Sequence, residues 1–155
     1  MLPPLTFNLD EGKEHLVNAD IRFQPLVRRI PMRVFEELAA PKELDLFKTL
    51  VTSILGQQVS WLAARAILYK FVRLWSPQLP LKPDFATLPR DQLPFPNPLQ
   101  VRDATVETLR SAGLSGQKVK YIKDIAQRCS DGRLDVRRLI QLDEDQVVQE
   151  LVQIK

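Results

Sequence analysis

The spacing of apolar residues along this chain is helical almost throughout, and this periodicity restricts its fold more than any other feature. Within residues 42–55 the apolar side chains recur three and four positions apart, at Leu44, Phe47, Leu50, Val51, Ile54 and Leu55. No stretch alternates apolar and polar residues with β-branched enrichment, and no Asn-Gly hairpin turn occurs. The sequence therefore predicts an all-α fold, arranged as a helical bundle.

Capping residues mark where the predicted helices begin. Polar residues typical of helix N-caps stand at Asp20, Ser60, Asn97, Ser115, Asp135 and Asp143. The first long helix is expected from Lys42 to about Leu55, with Gly56 as its C-terminal cap. The next is expected from Ser60 to about Trp75. It is apolar nearly all round, which predicts a central position among several neighbours.

A proline-rich segment interrupts the helical pattern. Residues 76–98 contain seven prolines, which leaves room for at most one helical turn. The helices on either side are too few to fold separately. We therefore interpret 76–98 as a loop insertion within one all-α domain covering 1–155, and we expect that domain to be monomeric.

Histidine and cysteine are too scarce for several classes of site. Cys129 is the single cysteine and His15 the single histidine. This excludes an internal disulfide and argues against a zinc centre or a histidine-based triad. The acidic residues at 143–145 fit a helix cap better than a metal site, so we expect no metal and no cofactor. No apolar run approaches the ~18 residues of a membrane span, and we expect an intracellular protein without a membrane partner.

The charge distribution permits nucleic-acid binding without requiring it. The net charge is +3, and the middle of the chain is basic. Lys118, Lys120 and Lys123 could follow a phosphate backbone, or they could form an ordinary solvated helix face. Trp61 could stack on a base, whereas Trp75 fits the core better.

The most informative stretch is the turn that follows the first long helix. Gln57 and Gln58 lie between a helix end and Ser60, the predicted cap of the next helix. A glutamine amide both donates and accepts hydrogen bonds, so at an exposed turn it can contact base edges or fill a gap in a duplex. Amide groups at the start of the next helix can hold a phosphate. The alternative is an exposed turn with polar filler.

Two longer segments carry a family resemblance. The first comprises residues 46–60, LFKTLVTSILGQQVS, followed by 63–67, AARAI; the second comprises residues 109–126, LRSAGLSGQKVKYIKDIA. Together they resemble the helix-hairpin-helix DNA glycosylases of the alkylated-base, 3-methyladenine type II class. The resemblance covers most of residues 14–155 apart from the proline-rich insertion, and the chain is similar to the front part of that all-α fold.

The resemblance assigns roles to the glutamine turn. Gln58 matches the position whose side chain fills the gap left when a damaged nucleotide is rotated out of the duplex. Gln57 and Ser60 match neighbours that face the minor groove and the opposite strand. These roles agree with the need of base chemistry for extrusion from the stack. Damaged double-stranded DNA is thus the expected partner.

The resemblance also implies what this chain lacks. In the family a glycine-rich hairpin and a catalytic aspartate follow a segment like residues 134–155, and no acid here matches that aspartate. We therefore expect an N-terminal portion of a base excision repair glycosylase for 3-methyladenine and 7-methylguanine lesions, inactive alone, with no catalytic residue of its own. Exposed apolar surface and low stability are expected as well. Its location would be the nucleus in a eukaryote, otherwise the cytoplasm or nucleoid. A non-enzymatic helical module that binds DNA or a partner protein is the alternative, and a helical domain without a nucleic-acid role is a third.

Overall fold

The computed structural model describes residues 8–29, 44–84 and 93–155, and every regular element in these ranges is helical. Contacts divide the chain into two compact units, residues 1–44 and 45–155. The described helices are α1 Leu9–Ala19, a 3₁₀ turn Ile21–Phe23, α2 Gln24–Arg29, α3 Leu46–Gly56, α4 Trp61–Arg73, α5 Pro98–Asp103, α6 Val106–Ser111, α7 Gly116–Ser130, α8 Val136–Leu139 and α9 Glu144–Leu151. The all-α fold is confirmed. The single domain over 1–155 stays a prediction.

In the described part of the first unit, the elements are α1, the 3₁₀ turn and α2. Asn8 caps α1 by accepting a hydrogen bond from the Asp10 amide at 3.0 Å. Asp20 caps the 3₁₀ turn by accepting from the Arg22 amide at 2.9 Å, as predicted. Its carboxylate also accepts from the Arg22 guanidinium, which lowers the pKa of Asp20. Capping by short polar side chains thus sets where α1 and the 3₁₀ turn begin.

The predicted caps of the second unit are confirmed, whereas one helix start was wrong. Each predicted cap side chain accepts a hydrogen bond from a backbone amide in the first turn of its helix. These caps are Ser60, Asn97, Ser115, Asp135 and Asp143. The helix expected from Lys42 instead begins at Leu46, because the Asp45 carboxylate accepts from the Lys48 amide at 2.9 Å. Residues 42 and 43 lie outside the described residues.

The core of the second unit is built around α7. Its buried face is packed against α3, α5 and α6 and is formed by Val119, Ile122, Ile125 and Ala126. An aromatic cluster extends this core, since the Phe71 ring lies 5.8 Å from Phe95 and 5.3 Å from Trp75. Trp75 is therefore a core-packing residue, as expected. The interior is continuous across the helices.

The helix α4 is central in only one half of its length. Its second half contributes Leu68, Phe71 and Val72 to the core. In its first turn, however, Trp61 is 62% exposed and Leu62 is 60% exposed. The expected exposure of apolar surface is found here, next to the glutamine turn. None of the described helices is both long and apolar enough to cross a membrane.

Side chains of α4 fix the start of the proline-rich segment. The Tyr69 hydroxyl donates to the Pro80 carbonyl at 2.7 Å, and the Arg73 Nε donates to the Leu79 carbonyl at 3.0 Å. At the far end, Leu93 is buried and Asn97 begins α5 with a capping box. The described flanks, 76–84 and 93–97, contain no helix, as predicted; residues 85–92 lie outside the described residues.

Two matched leucines test this core. Leu109→Ala removes a side chain with no exposed surface and should lower the free energy of unfolding by about 2–5 kcal/mol. Leu62→Ala, at an exposed helical position, should change it by less than about 1 kcal/mol. Urea unfolding followed by circular dichroism measures both, and equal losses would contradict the assigned core.

Candidate functional site

A tight turn joins α3 to α4 and carries the three residues predicted to bind DNA. Gln57 caps the C-terminus of α3, with its amide donating to the Ile54 carbonyl at 3.3 Å. Gln58 follows with a φ of 55°, in the left-handed region. Ser60 then caps α4. All three side chains are exposed, so the structure brings the predicted residues together on one accessible turn.

The left-handed residue of this turn is Gln58, which corrects the expectation that Gly56 would cap the helix. Gly56 is the last helical residue of α3. The positive φ falls two residues later, and Gln58 is the one non-glycine residue with positive φ among the described residues. For such a residue this conformation costs about 1–2 kcal/mol. Such a conformation persists only where the surrounding structure maintains it, and strain of this kind clusters at binding and catalytic sites.

Ser60 fixes the far side of the turn. Its hydroxyl oxygen accepts from the Ala63 amide at 3.3 Å, and its carbonyl accepts from the Ala64 amide at 2.9 Å. The hydroxyl proton can still be donated, because capping uses only a lone pair of the oxygen. Ser60 can therefore cap α4 and donate to another molecule at once.

An aromatic residue borders the turn. The Arg65 guanidinium lies 4.8 Å from the centre of the Trp61 ring, a cation–π arrangement. This pair lines a cleft of about 340 Å³ between α3 and α4, together with Thr52, Gly56, Val59, Ala64 and Leu68. The spacing of Trp61 and Arg65, four residues apart on one helix, could have predicted the pair from the sequence.

Two of the three lysines on α7, for which a phosphate contact and a solvated face were both open, bond to backbone carbonyls. The Lys118 ammonium donates to the Leu55 carbonyl at 2.8 Å and to the Gln57 carbonyl at 2.9 Å. The Lys123 ammonium donates to two carbonyls at the end of α5. Lys120 is exposed. Lys118 and Lys123 are thus half-buried and do not form a plain solvated face, because carbonyls left at a helix C-terminus attract a cation.

Several acidic residues of the second unit act as helix caps or ion-pair partners. Asp143 caps α9 through a capping box with Gln146, as the acidic run at 143–145 predicted. Asp124 accepts from Arg128 and from the Lys155 amide. The Arg133 guanidinium keeps the pKa of Asp131 well below its usual range. Among the described residues, no group of three acidic, cysteine or histidine side chains is placed to hold a metal ion.

Sequence comparison adds a family match and a curated relative. Residues 51–152 match the HhH-GPD superfamily base excision DNA repair protein family. The chain is also similar to DNA-3-methyladenine glycosylase 1 of Schizosaccharomyces pombe, with 24% identity over 153 residues. That alignment covers 96% of this chain and 58% of the fission-yeast protein. The family match includes the glutamine turn and α7.

Two solved structures resemble the fold. A DNA-3-methyladenine glycosidase from Bacillus halodurans superposes with a TM-score of 0.59 and 27% identity, covering 96% of this chain and 59% of that one. A 3-methyladenine DNA glycosylase from Schizosaccharomyces pombe, in complex with abasic DNA, gives a TM-score of 0.53 and 22% identity, covering 79% and 56%. The chain thus spans about three fifths of the length of these relatives, and its resemblance to the glycosylase fold is confirmed.

Cys129, near the C-terminal end of α7, provides a test of how this helix packs against the core. Burial, followed by the charges of Asp45 and Asp131, raises the pKa of this thiol to about 11. Because the thiolate is the reactive form, alkylation by iodoacetamide at pH 8 should be on the order of a hundredfold slower than for a free cysteine peptide. Denaturant should restore the rate, and equally fast reaction of the folded protein would contradict this burial.

Proposed function

The chain belongs to the HhH-GPD superfamily of base excision DNA repair proteins, and on this premise we propose that it engages damaged duplex DNA as part of an alkyl-base glycosylase. The reaction is hydrolysis of the N-glycosidic bond of alkylated purines, such as 3-methyladenine and 7-methylguanine, which leaves an abasic site. The names of the relatives support this substrate class. An intracellular location with the DNA, in the nucleus if the source is eukaryotic, goes with this proposal.

One observation carries the proposal: the exposed Gln58 side chain at a strained turn between two long helices. Glycine would take this backbone conformation at lower cost, so a glutamine here indicates that the side chain is needed. Both ends of the turn are fixed, by Lys118 on one side and the Ser60 cap on the other. A side chain presented in this way is prepared for contact with another molecule.

The chemistry of base excision gives this side chain a task. A damaged base has to leave the stack before its glycosidic bond becomes accessible, and unstacking costs a few kcal/mol. Gln58 would fill the gap and bond to base edges there, because its amide both donates and accepts. Gln57 and Ser60 would contact the minor groove and the opposite strand. One solved relative is itself in complex with abasic DNA.

The bond-breaking step requires a carboxylate that stabilises positive charge on the sugar. An alkylated base already carries positive charge, so a strong general acid is unnecessary. Several described aspartates are engaged elsewhere: Asp45 and Asp143 cap helices, while Asp124 and Asp131 pair with arginines. We therefore expect this chain to bind a duplex that contains an abasic site, the product of the reaction, without cleaving a glycosidic bond itself.

A release assay separates an enzyme from a binding module. The chain is incubated with duplex DNA that carries methylated purines, and freed bases are measured beside binding to an abasic duplex. We expect binding without release. Release in proportion to protein would assign the chemistry to an acid within these residues, whereas absence of binding even at low salt would contradict the proposed function.

Gln58→Gly tests the side chain without disturbing the backbone. Glycine suits a φ of 55°, so stability should be unchanged or higher by up to about 1 kcal/mol. Affinity for an abasic duplex should fall about tenfold, equivalent to about 1.4 kcal/mol. Fluorescence anisotropy measures binding, and Gln141→Ala, on an exposed turn, is the control. Unchanged affinity in Gln58→Gly would contradict the role of Gln58.

A further inference from the structure

The ammonium group of one lysine connects the turn that carries Gln58 to α7, a helix that is distant from it in the sequence. Lys118 lies in the first turn of α7, and its Nζ donates to the Leu55 carbonyl at 2.8 Å and the Gln57 carbonyl at 2.9 Å. These bonds join residues more than sixty positions apart in the sequence. Because α3 has no basic residue in its own last turn, Lys118 supplies the cation that its C-terminal carbonyls favour.

The second of these bonds acts directly on the strained residue. The Gln57 carbonyl belongs to the peptide group that joins Gln57 to Gln58, so a bond to its oxygen fixes the plane from which the φ of Gln58 is measured. That φ is 55°, a conformation that a glutamine leaves readily unless its surroundings maintain it. Lys118 is half-buried, and its partly buried bond to the Leu55 carbonyl holds the ammonium group beside the exposed Gln57 carbonyl.

We propose that Lys118 is a positioning residue for DNA binding, and that it acts through the Gln58 turn instead of through a phosphate. Of its three N–H donors, one bonds to the Leu55 carbonyl at the end of α3 and one to the Gln57 carbonyl in the turn. Loss of these bonds frees the Gln57–Gln58 peptide and lets Gln58 relax, so that its side chain no longer points as the duplex requires. This inference rests on the proposed function for its DNA readout.

Two neighbouring lysines on α7 serve as controls. Lys123 donates to the carbonyls of Arg102 at 2.9 Å and Ala104 at 2.5 Å, so it anchors the end of α5 in the same way, outside the turn. Lys120 is exposed on the same helix and has the charge of a phosphate contact without such an anchor. Lys123→Met therefore removes a comparable pair of lysine–carbonyl bonds outside the turn, and Lys120→Met removes one positive charge from the same helix.

The DNA experiment compares an abasic duplex with an intact duplex of the same sequence over a series of salt concentrations. Lys118→Met should reduce the preference for the abasic duplex about tenfold and leave the salt dependence unchanged. Lys123→Met should retain the preference. If Lys120 contacts a phosphate, Lys120→Met should weaken binding to both duplexes equally, and the slope of log affinity against log salt concentration should fall by about one. The same outcome in Lys118→Met would overturn the proposal and assign that lysine to a phosphate.

A double-mutant cycle tests whether Lys118 acts through Gln58. If it does, Lys118→Met combined with Gln58→Gly binds the abasic duplex no more weakly than Gln58→Gly alone. Additive losses would overturn the proposal. Should Lys118→Met fail to fold, Lys118→Arg retains the charge. A phosphate contact then predicts unchanged affinity, whereas positioning predicts a lower abasic preference, because the planar guanidinium bonds the two carbonyls in a different geometry.

A readout without DNA distinguishes this inference from the proposed function. The backbone chemical shifts of Gln58 in the free protein report its left-handed conformation. They should move towards ordinary values in Lys118→Met and stay in place in Lys123→Met. If the unaltered protein shows no preference for the abasic duplex, the proposed function fails while this measurement still decides the positioning. Unmoved shifts in Lys118→Met would overturn the proposal.

Discussion

The burial of one face of α7 is the constraint on which the second unit depends. Ile122 and Ile125 are almost fully buried there, and the helices packed on this face come from both sides of the proline-rich segment. α3 has 11 residues, and α5 and α6 have 6 each; isolated helices below about 12–15 residues are marginal in water unless an apolar face is packed. The hydrophobic contact with α7 therefore stabilises helices that would not persist alone. It also fixes the lysines of α7 next to the ends of their neighbours.

Two lysines of α7 show how apolar packing and electrostatics reinforce one another. Lys118 bonds to carbonyls at the end of α3, and Lys123 bonds to carbonyls at the end of α5. Packing alone leaves these carbonyls without hydrogen-bond partners from their own helices. The lysines satisfy them and at the same time fix the distances between the helix ends. At the end of α3, the bond from Lys118 to the Gln57 carbonyl also acts on the strained residue of the turn, Gln58.

Local features of this fold could be predicted from the sequence, whereas contacts between distant residues could not. The caps at Ser60, Ser115 and Asp143 were predicted because a cap depends on a few adjacent residues. Residues Gln57, Gln58 and Ser60 were found as one exposed turn for the same reason. The residue with left-handed backbone conformation is Gln58, not the expected helix cap Gly56, and Lys118 donates a hydrogen bond to a backbone carbonyl of the turn. Both outcomes depend on packing between helices, which periodicity does not encode.

The anchors of the proline-rich segment bear on how the length of this chain can vary between relatives. Tyr69 fixes the carbonyl of Pro80, and Leu93 is buried in the core beyond. Residues added or removed between these two points would leave both anchors in place. For a flexible connection in general, a doubling of its length adds only about 0.6 kcal/mol of closure free energy. Insertions and deletions during evolution are therefore expected to accumulate here, while the spacing between α3 and α4 stays constant.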